Sequence, residues 1–215
     1  MKDLLLFVAA ICAGLFLIVG YFTFIGKSGV INVPSLRTIF RASNFSLEKA
    51  PSESLIGKIA SMSGDVQWQS RIATDSARLE SPINIQQGEN LSTKEKSSAV
   101  ILFDGNLEVE LSEKSEVGFA QTLPANIVIA QGSGTVEYKK VGVIPVSIRI
   151  LHLLIENEGD VKVSLDDQQP LVTLEIVTGS VKLSFNDINN VTSVTVLSAG
   201  KKLIFNDDTR QVVTK

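Results

Sequence analysis

Apolar and polar side chains alternate with a period of two through most of this chain, and that pattern restricts the fold more than any other feature. The clearest case is Ser98 to Leu111, where Ala99, Ile101 and Phe103 alternate in one arm and Leu107, Val109 and Leu111 in the other. Asp104-Gly105 lies between the arms. An Asp-Gly pair supplies the positive φ angles that a tight hairpin turn demands, so the arms are predicted to form a hairpin with Glu108 and Glu110 facing water. The same alternation recurs in Val146, Ile148, Ile150; in Val161, Val163, Leu165; in Val172, Leu174, Ile176; and in Val181, Leu183, Phe185. Each run reads as a separate half-buried strand. Pro82, Pro124, Pro145 and Pro170 fall between runs, where a missing N–H breaks no interior ladder. The pattern predicts an all-β fold of two packed antiparallel sheets, a sandwich or jelly roll. Only Arg71 to Glu80 has room for a helical turn or two.

A glycine, one polar residue and a valine recur at Gly64-Asp65-Val66, Gly134-Thr135-Val136, Gly159-Asp160-Val161 and Gly179-Ser180-Val181. Their spacing is too irregular for a solenoid repeat. Each is read as the start of a strand, with glycine making the turn and valine beginning the buried row.

The other strong feature lies at the N-terminus. Leu4 to Ile25 contains no charged residue; as a helix it is about 33 Å long, a match for a hydrocarbon core of about 30 Å. A transmembrane helix over residues 4–26 is therefore predicted, with Tyr21 and Phe24 near one interface. A cleaved signal would need a shorter apolar core and a small-x-small site, and Ile11 before Cys12 does not suit a lipoprotein signal. Lys2 and the terminal amine stand on one side, and Lys27, Arg37 and Arg41 on the other, so the basic residues do not themselves favour translocation of the C-terminal part. The short tail, residues 1–3, still reads most simply as cytoplasmic. Ala9 with Ala13 and Ala10 with Gly14 could bring two such helices together as a homodimer; ordinary small residues in a lipid-facing helix are the commoner reading.

Residues 27–56, with Pro34, Pro51 and several serines, read as a linker. Leu36, Ile39 and Phe40 share a helical face beside Arg37 and Arg41, which would suit a short helix on anionic headgroups; a plain solvated linker is commoner. The β domain is predicted over 57–207, with a C-terminal tail over 208–215. The net charge of -3 offers no basic field to gather a polyanion, so nucleic acid is not an expected partner. The mean hydropathy of +0.23 fits one segment in lipid.

Several residues now combine into a family pattern: Ile59 with Gly64-Asp65-Val66, then Gly88-Glu89-Asn90-Leu91-Ser92-Thr93, then Ser98 through Asn106, and Leu111 with Ser115. Gly179-Ser180-Val181 and Val196 to Leu203, with Ala199-Gly200, follow. Over roughly Gly57 to Phe205 the chain resembles the FecR-domain family, named for the ferric-citrate regulator of bacteria. The resemblance implies a periplasmic β domain that senses or transmits through contact with other proteins, on an inner-membrane anchor. It departs from the full regulator, which has a cytoplasmic segment that handles a sigma factor and a C-terminal module that meets an outer-membrane receptor. Direct sigma-factor control is therefore not expected, and a stand-alone tethered relative is.

The chemistry-bearing residues are few. His152 is the one histidine, within Ile150-Leu151-His152-Leu153-Leu154, and reads as a strand histidine, packed or edge-facing. Cys12 is the one cysteine, so neither a disulfide within the chain nor a zinc site is expected. Asp166-Asp167 and Asp207-Asp208 read as turn residues hydrogen bonding their own backbone. Gly132-Ser133-Gly134 reads as a loop, lacking the helix and lysine of a phosphate cradle. Trp68, in step with Val66, reads as core. No catalytic residue, cofactor or metal is expected. The favoured function is a non-enzymatic sensor, signalling or scaffold module whose partners are envelope proteins. The alternative is an envelope transport or assembly bridge, similar to the lipopolysaccharide-transport bridge proteins. A glycan binder and a hydrolase are weaker readings.

Overall fold

Where one face of a strand is buried, the period-two pattern has a single place to put its apolar set, and in the computed structural model it puts them inside. The structure describes residues 49–165 and 168–213. The predicted cytoplasmic tail, transmembrane helix, Cys12, the linker through position 48 and Asp166-Asp167 lie outside the described residues. Among the described residues no helix is long and apolar enough to cross a membrane; all regular structure there is β.

The first strands are β1 (Gly57–Ser63), β2 (Val66–Gln69), β3 (Ala77–Arg78), β4 (Asn84–Ile85) and β5 (Asn90–Thr93). The predicted hairpin forms β6 (Ser98–Phe103) and β7 (Leu107–Leu111), followed by β8 (Glu116–Leu123), β9 (Asn126–Lys140) and β10 (Val146–Ile150). The last are β11 (Leu153–Leu165), β12 (Leu171–Asn186), β13 (Thr192–Ser198), β14 (Lys202–Asn206) and β15 (Gln211–Val213). Arg71 to Glu80 forms turns and β3 rather than helix. β15 pairs with β14, so the sheet continues into the predicted tail. At the other end Leu55 N–H donates to Thr122 O (2.6 Å) and Leu55 O accepts from Thr122 Oγ1 (2.8 Å), so the end of the predicted linker belongs to the domain.

Two separate antiparallel sheets are not what the strands make. All fifteen join one hydrogen-bonded network, and β10 runs parallel to β9. The reason lies in three long strands that change neighbours along their length. β9 pairs with β8 and β10 before Gly134, and with β7 and β11 from Gly134 onward. β12 pairs with β14 through Leu171–Glu175 and with β13 through Ser180–Asn186. The runs Val172–Ile176 and Val181–Phe185, read as two strands, are thus one.

Three of the four glycine-x-valine motifs mark these bends. Only Gly64 (φ 79°) stands at a strand start; Gly134, Gly159 and Gly179 lie inside β9, β11 and β12. Gly132-Ser133-Gly134 is accordingly a bend within a strand and not a loop. In β12 the register against β11 skips Val177, so the inward set moves from Val172, Leu174 and Ile176 to Val181 and Leu183. An inserted residue produces that change of face. Gly159 and Gly179 are directly paired, and a Cβ on Gly179 would lie 2.9 Å from Gly159 Cα, so the two backbones can meet only without side chains.

The motif also shows a repeated brace. Glu95-Lys96-Ser97 and Glu113-Lys114-Ser115 form matching turns, with Lys96 and Lys114 at φ 54° and 55°. Ser97 Oγ accepts from Asp65 N–H (2.8 Å) while Asp65 O accepts from Lys94 N–H (3.0 Å). Ser115 Oγ accepts from Thr135 N–H (3.0 Å) while Thr135 O accepts from Ser112 N–H (3.0 Å). The middle residues of the first two motifs, Asp65 and Thr135, are thereby held at both backbone groups by the turns facing them. Both serines are buried.

The core is continuous. Val66, Ile85, Leu91, Val109, Phe119, Ile129, Val163 and Phe205 are each 0% exposed and belong to one cluster. Phe103 and Phe119 meet at 5.6 Å between ring centroids, and Phe185 and Phe205 at 4.9 Å. Full burial of such side chains is worth roughly 1.5–3 kcal/mol each, which identifies the filled interior as what holds the domain together. Tyr138 lies in it, its hydroxyl donating to Gln131 Oε1 (3.1 Å). Gln131 Nε2 donates to Gly134 O (3.0 Å) and Val163 O (3.1 Å), which joins β9 to β11 beside the bend.

Candidate functional site

His152 does not lie in a strand. Ile150 and Leu153 are directly paired, so Leu151 and His152 form a two-residue turn between β10 and β11, with Leu151 at φ 51°. The continuous apolar run hides this turn, because it contains none of the Gly, Asn or Asp residues that usually mark one. A distant residue supplies what the local sequence lacks. Asp207 accepts from His152 N–H at Oδ1 (3.0 Å), and its Oδ2 lies 2.9 Å from His152 Nδ1. Asp207 was expected to bond its own backbone; Asn206 does that instead, accepting from Thr209 N–H (3.1 Å).

Arg210 Nη2 lies 3.2 Å from His152 Nε2 and Arg210 Nη1 donates to Asp187 O (3.4 Å). A guanidinium can only donate, so Nε2 accepts and the ring proton sits on Nδ1, toward Asp207. The Asp–His pair thus has the orientation of a relay, but the nitrogen that would take a proton from a nucleophile is occupied by an arginine. As arranged, it ties together the turns around Leu151, Asp187 and Asp207.

A second charged group lies on the outer face of β7 and β9. Glu108 and Glu110, predicted to face water, face Lys139, whose Nζ is 2.9 Å and 3.3 Å from their carboxylates and 3.8 Å from Glu137. The hydrogen bond to Glu108, with smaller contributions from the other carboxylates, holds the Lys139 ammonium well above the ordinary lysine range. Trp68 is partly buried and packs against the core from the same side as Val66. Among the described residues no three His, Cys, Asp or Glu side chains gather as metal ligands would.

Among the concavities on the surface of the described residues, a group of shallow polar ones shares residues. One, about 620 Å³, is lined by Lys114, Lys162, Lys202, Glu113 and Glu175 among others. The next, about 500 Å³, shares Lys114 and adds Asp65 and Glu95. The third, about 290 Å³, shares Lys94 and Glu116 with the second. Together they form a band of mixed charge, unlike the mostly apolar clefts that bury small ligands. Sequence reasoning passed over these lysines and glutamates, since at alternate strand positions they look the same as any solvated face.

No family model and no curated protein matches the chain. Among solved structures it is similar to two crystal structures, at 2.50 and 1.65 Å resolution, of a protein of Parabacteroides distasonis ATCC 8503 provisionally described as an anti-sigma factor. Each has 14% sequence identity and a TM-score of 0.49 over 59% of this chain. The chain spans 58% of the length of that protein.

Proposed function

We propose that this chain is a FecR-like module, tethered in the bacterial inner membrane by its N-terminal apolar segment, that signals or scaffolds in the periplasm by binding other envelope proteins without catalysis. The observation that carries this reading is the filled core beneath a polar, mixed-charge outer band. A ligand has to be met on the outside, over a shallow surface, and a macromolecule suits such a surface better than a small molecule. The motif residues support the same reading, because Asp65 and Ser115 belong to the two braces and also line this band. The occupied Nε2 of His152 supports the absence of an enzymatic role.

Photo-crosslinkers placed at Lys162 and Lys202 in intact cells are expected to capture envelope proteins. Capture of cytoplasmic proteins alone would overturn the proposal. A periplasm-dependent reporter fused after Lys215 is expected to be active, and inactivity would overturn the membrane orientation. The bridge reading gains from one observation, the edge of β13 that no other described strand covers. It loses from the interior, where apolar side chains occupy the path that a lipid cargo would need.

A further inference from the structure

Strand edges carry unpaired N–H and C=O groups and attract other strands, and proteins normally blunt them with short strands, charge, proline or bulges. Three edges here follow that rule: β3 and β4 have two residues each and β15 has three. β13 does not. It has seven residues, Thr-Ser-Val-Thr-Val-Leu-Ser, without charge, proline or glycine. Among the described strands it pairs with β12 alone, in unbroken register.

The hydrogen-bond phase shows which groups the edge offers. Ala199 N–H donates to Gly179 O (2.9 Å) and Asp187 N–H donates to Val191 O (3.0 Å). These directly opposed pairs fix the alternation of the ladder between them. Ser193, Thr195 and Leu197 therefore turn their backbone groups toward β12, while Thr192, Val194, Val196 and Ser198 turn theirs to the open side. Val194 and Val196 also expose their side chains, at 54% and 64%. At the hairpin end Ile188 and Val191 are exposed as well, at 65% and 60%.

We infer that β13 is a homotypic interface, pairing antiparallel with β13 of a second copy about a twofold axis through Thr195. That axis brings Val194 opposite Val196 of the second copy and Thr192 opposite Ser198. These are the residues whose N–H and C=O groups face outward, so the ladder closes in phase. It also sets Val194 and Val196 of both copies side by side in one apolar row, removing from water what each copy alone exposes. A twofold axis confronts every strand with its own charge, and β13 has none to repel. An unrelated partner strand would satisfy the backbone equally well. The in-phase register about Thr195, with valine meeting valine on one face, is what favours a second copy. This inference does not depend on the proposed function.

The test uses the full chain in native membranes with Cys12→Ser. Thr195→Cys would stand across the axis from its own counterpart at a non-hydrogen-bonded position, where Cβ atoms lie about 4.5–5.5 Å apart and small adjustment permits a disulfide. Mild oxidation is expected to give a covalent dimer at least tenfold more abundant than with Thr178→Cys, an exposed position away from the edge. Adding Val194→Lys with Val196→Lys is expected to abolish that dimer, because lysine meets lysine. Adding Val194→Glu with Val196→Lys is expected to keep it, because opposite charges meet. A Thr195→Cys product no more abundant than the control, or one indifferent to the lysine pair, overturns the inference, and the second result would place the contact in another part of the chain.

Discussion

Ser115 hydrogen bonds in both senses, accepting from Thr135 N–H and donating to Thr135 O (2.9 Å). Its replacement leaves the part-buried Thr135 N–H without this partner at the bend of β9, so Ser115→Ala is expected to cost about 0.5–1.5 kcal/mol, read as a lowered midpoint in thermal unfolding. Ser97→Ala should cost a similar amount, since it makes the equivalent bond to Asp65 N–H. The two serines differ in how they could be read. Ser115 belonged to the family pattern, whereas Ser97, Lys96 and Lys114 carried no signal, because a Glu-Lys-Ser triplet is ordinary surface composition. Only the fold reveals the two triplets as copies. Tyr138 gives a pH dependence. Burial pushes its phenol far above the ordinary range, so the folded state keeps its proton while the unfolded chain loses it above about pH 10. Stability is expected to fall as pH rises from about 10, and Tyr138→Phe should flatten that fall in alkaline unfolding curves.

At the scale of elements, the 98–111 hairpin was legible in nearly every residue: Ala99, Ile101, Phe103, Leu107, Val109 and Leu111 are all buried. Its turn differs in detail. Phe103 pairs with Leu107, leaving a three-residue loop in which only Gly105 has a positive φ, 68°. A Cβ there meets nothing within 4 Å, so Gly105→Ala should cost only the backbone strain, about 1–2 kcal/mol. Gly134→Ala should cost more, since its Cβ would run into Ser115 Cα at 2.5 Å as well as adopting φ 73°; comparing the two variants by thermal melting checks the difference. The bends in β9, β11 and β12 were not legible. Glycine before valine serves equally as a strand start or as a bend, and which it is depends on the strand that comes to lie beside it. The β10–β11 turn was hidden for the same reason. Asp207, 55 residues further on, caps it, so Asp207→Ala is expected to destabilise the domain by about 0.5–1.5 kcal/mol, again seen in thermal unfolding.

For the whole molecule, the alternation of side chains determined that the described residues are all-β and which of them line the interior, because burying one face of a strand leaves its period in the sequence. Sequence also identified the apolar N-terminal run, a matter of length and composition that needs no tertiary contact. The tertiary structure decided the rest: a single strand network in place of two sheets, the parallel pairing of β9 and β10, the Asp207–His152–Arg210 tie and the open edge of β13. Each depends on which distant backbone or side chain arrives alongside, and a residue's neighbours in the chain hold no record of that arrival. Strand pairing is non-local by nature, so the sequence states what each strand must bury, while only the assembled fold states beside whom.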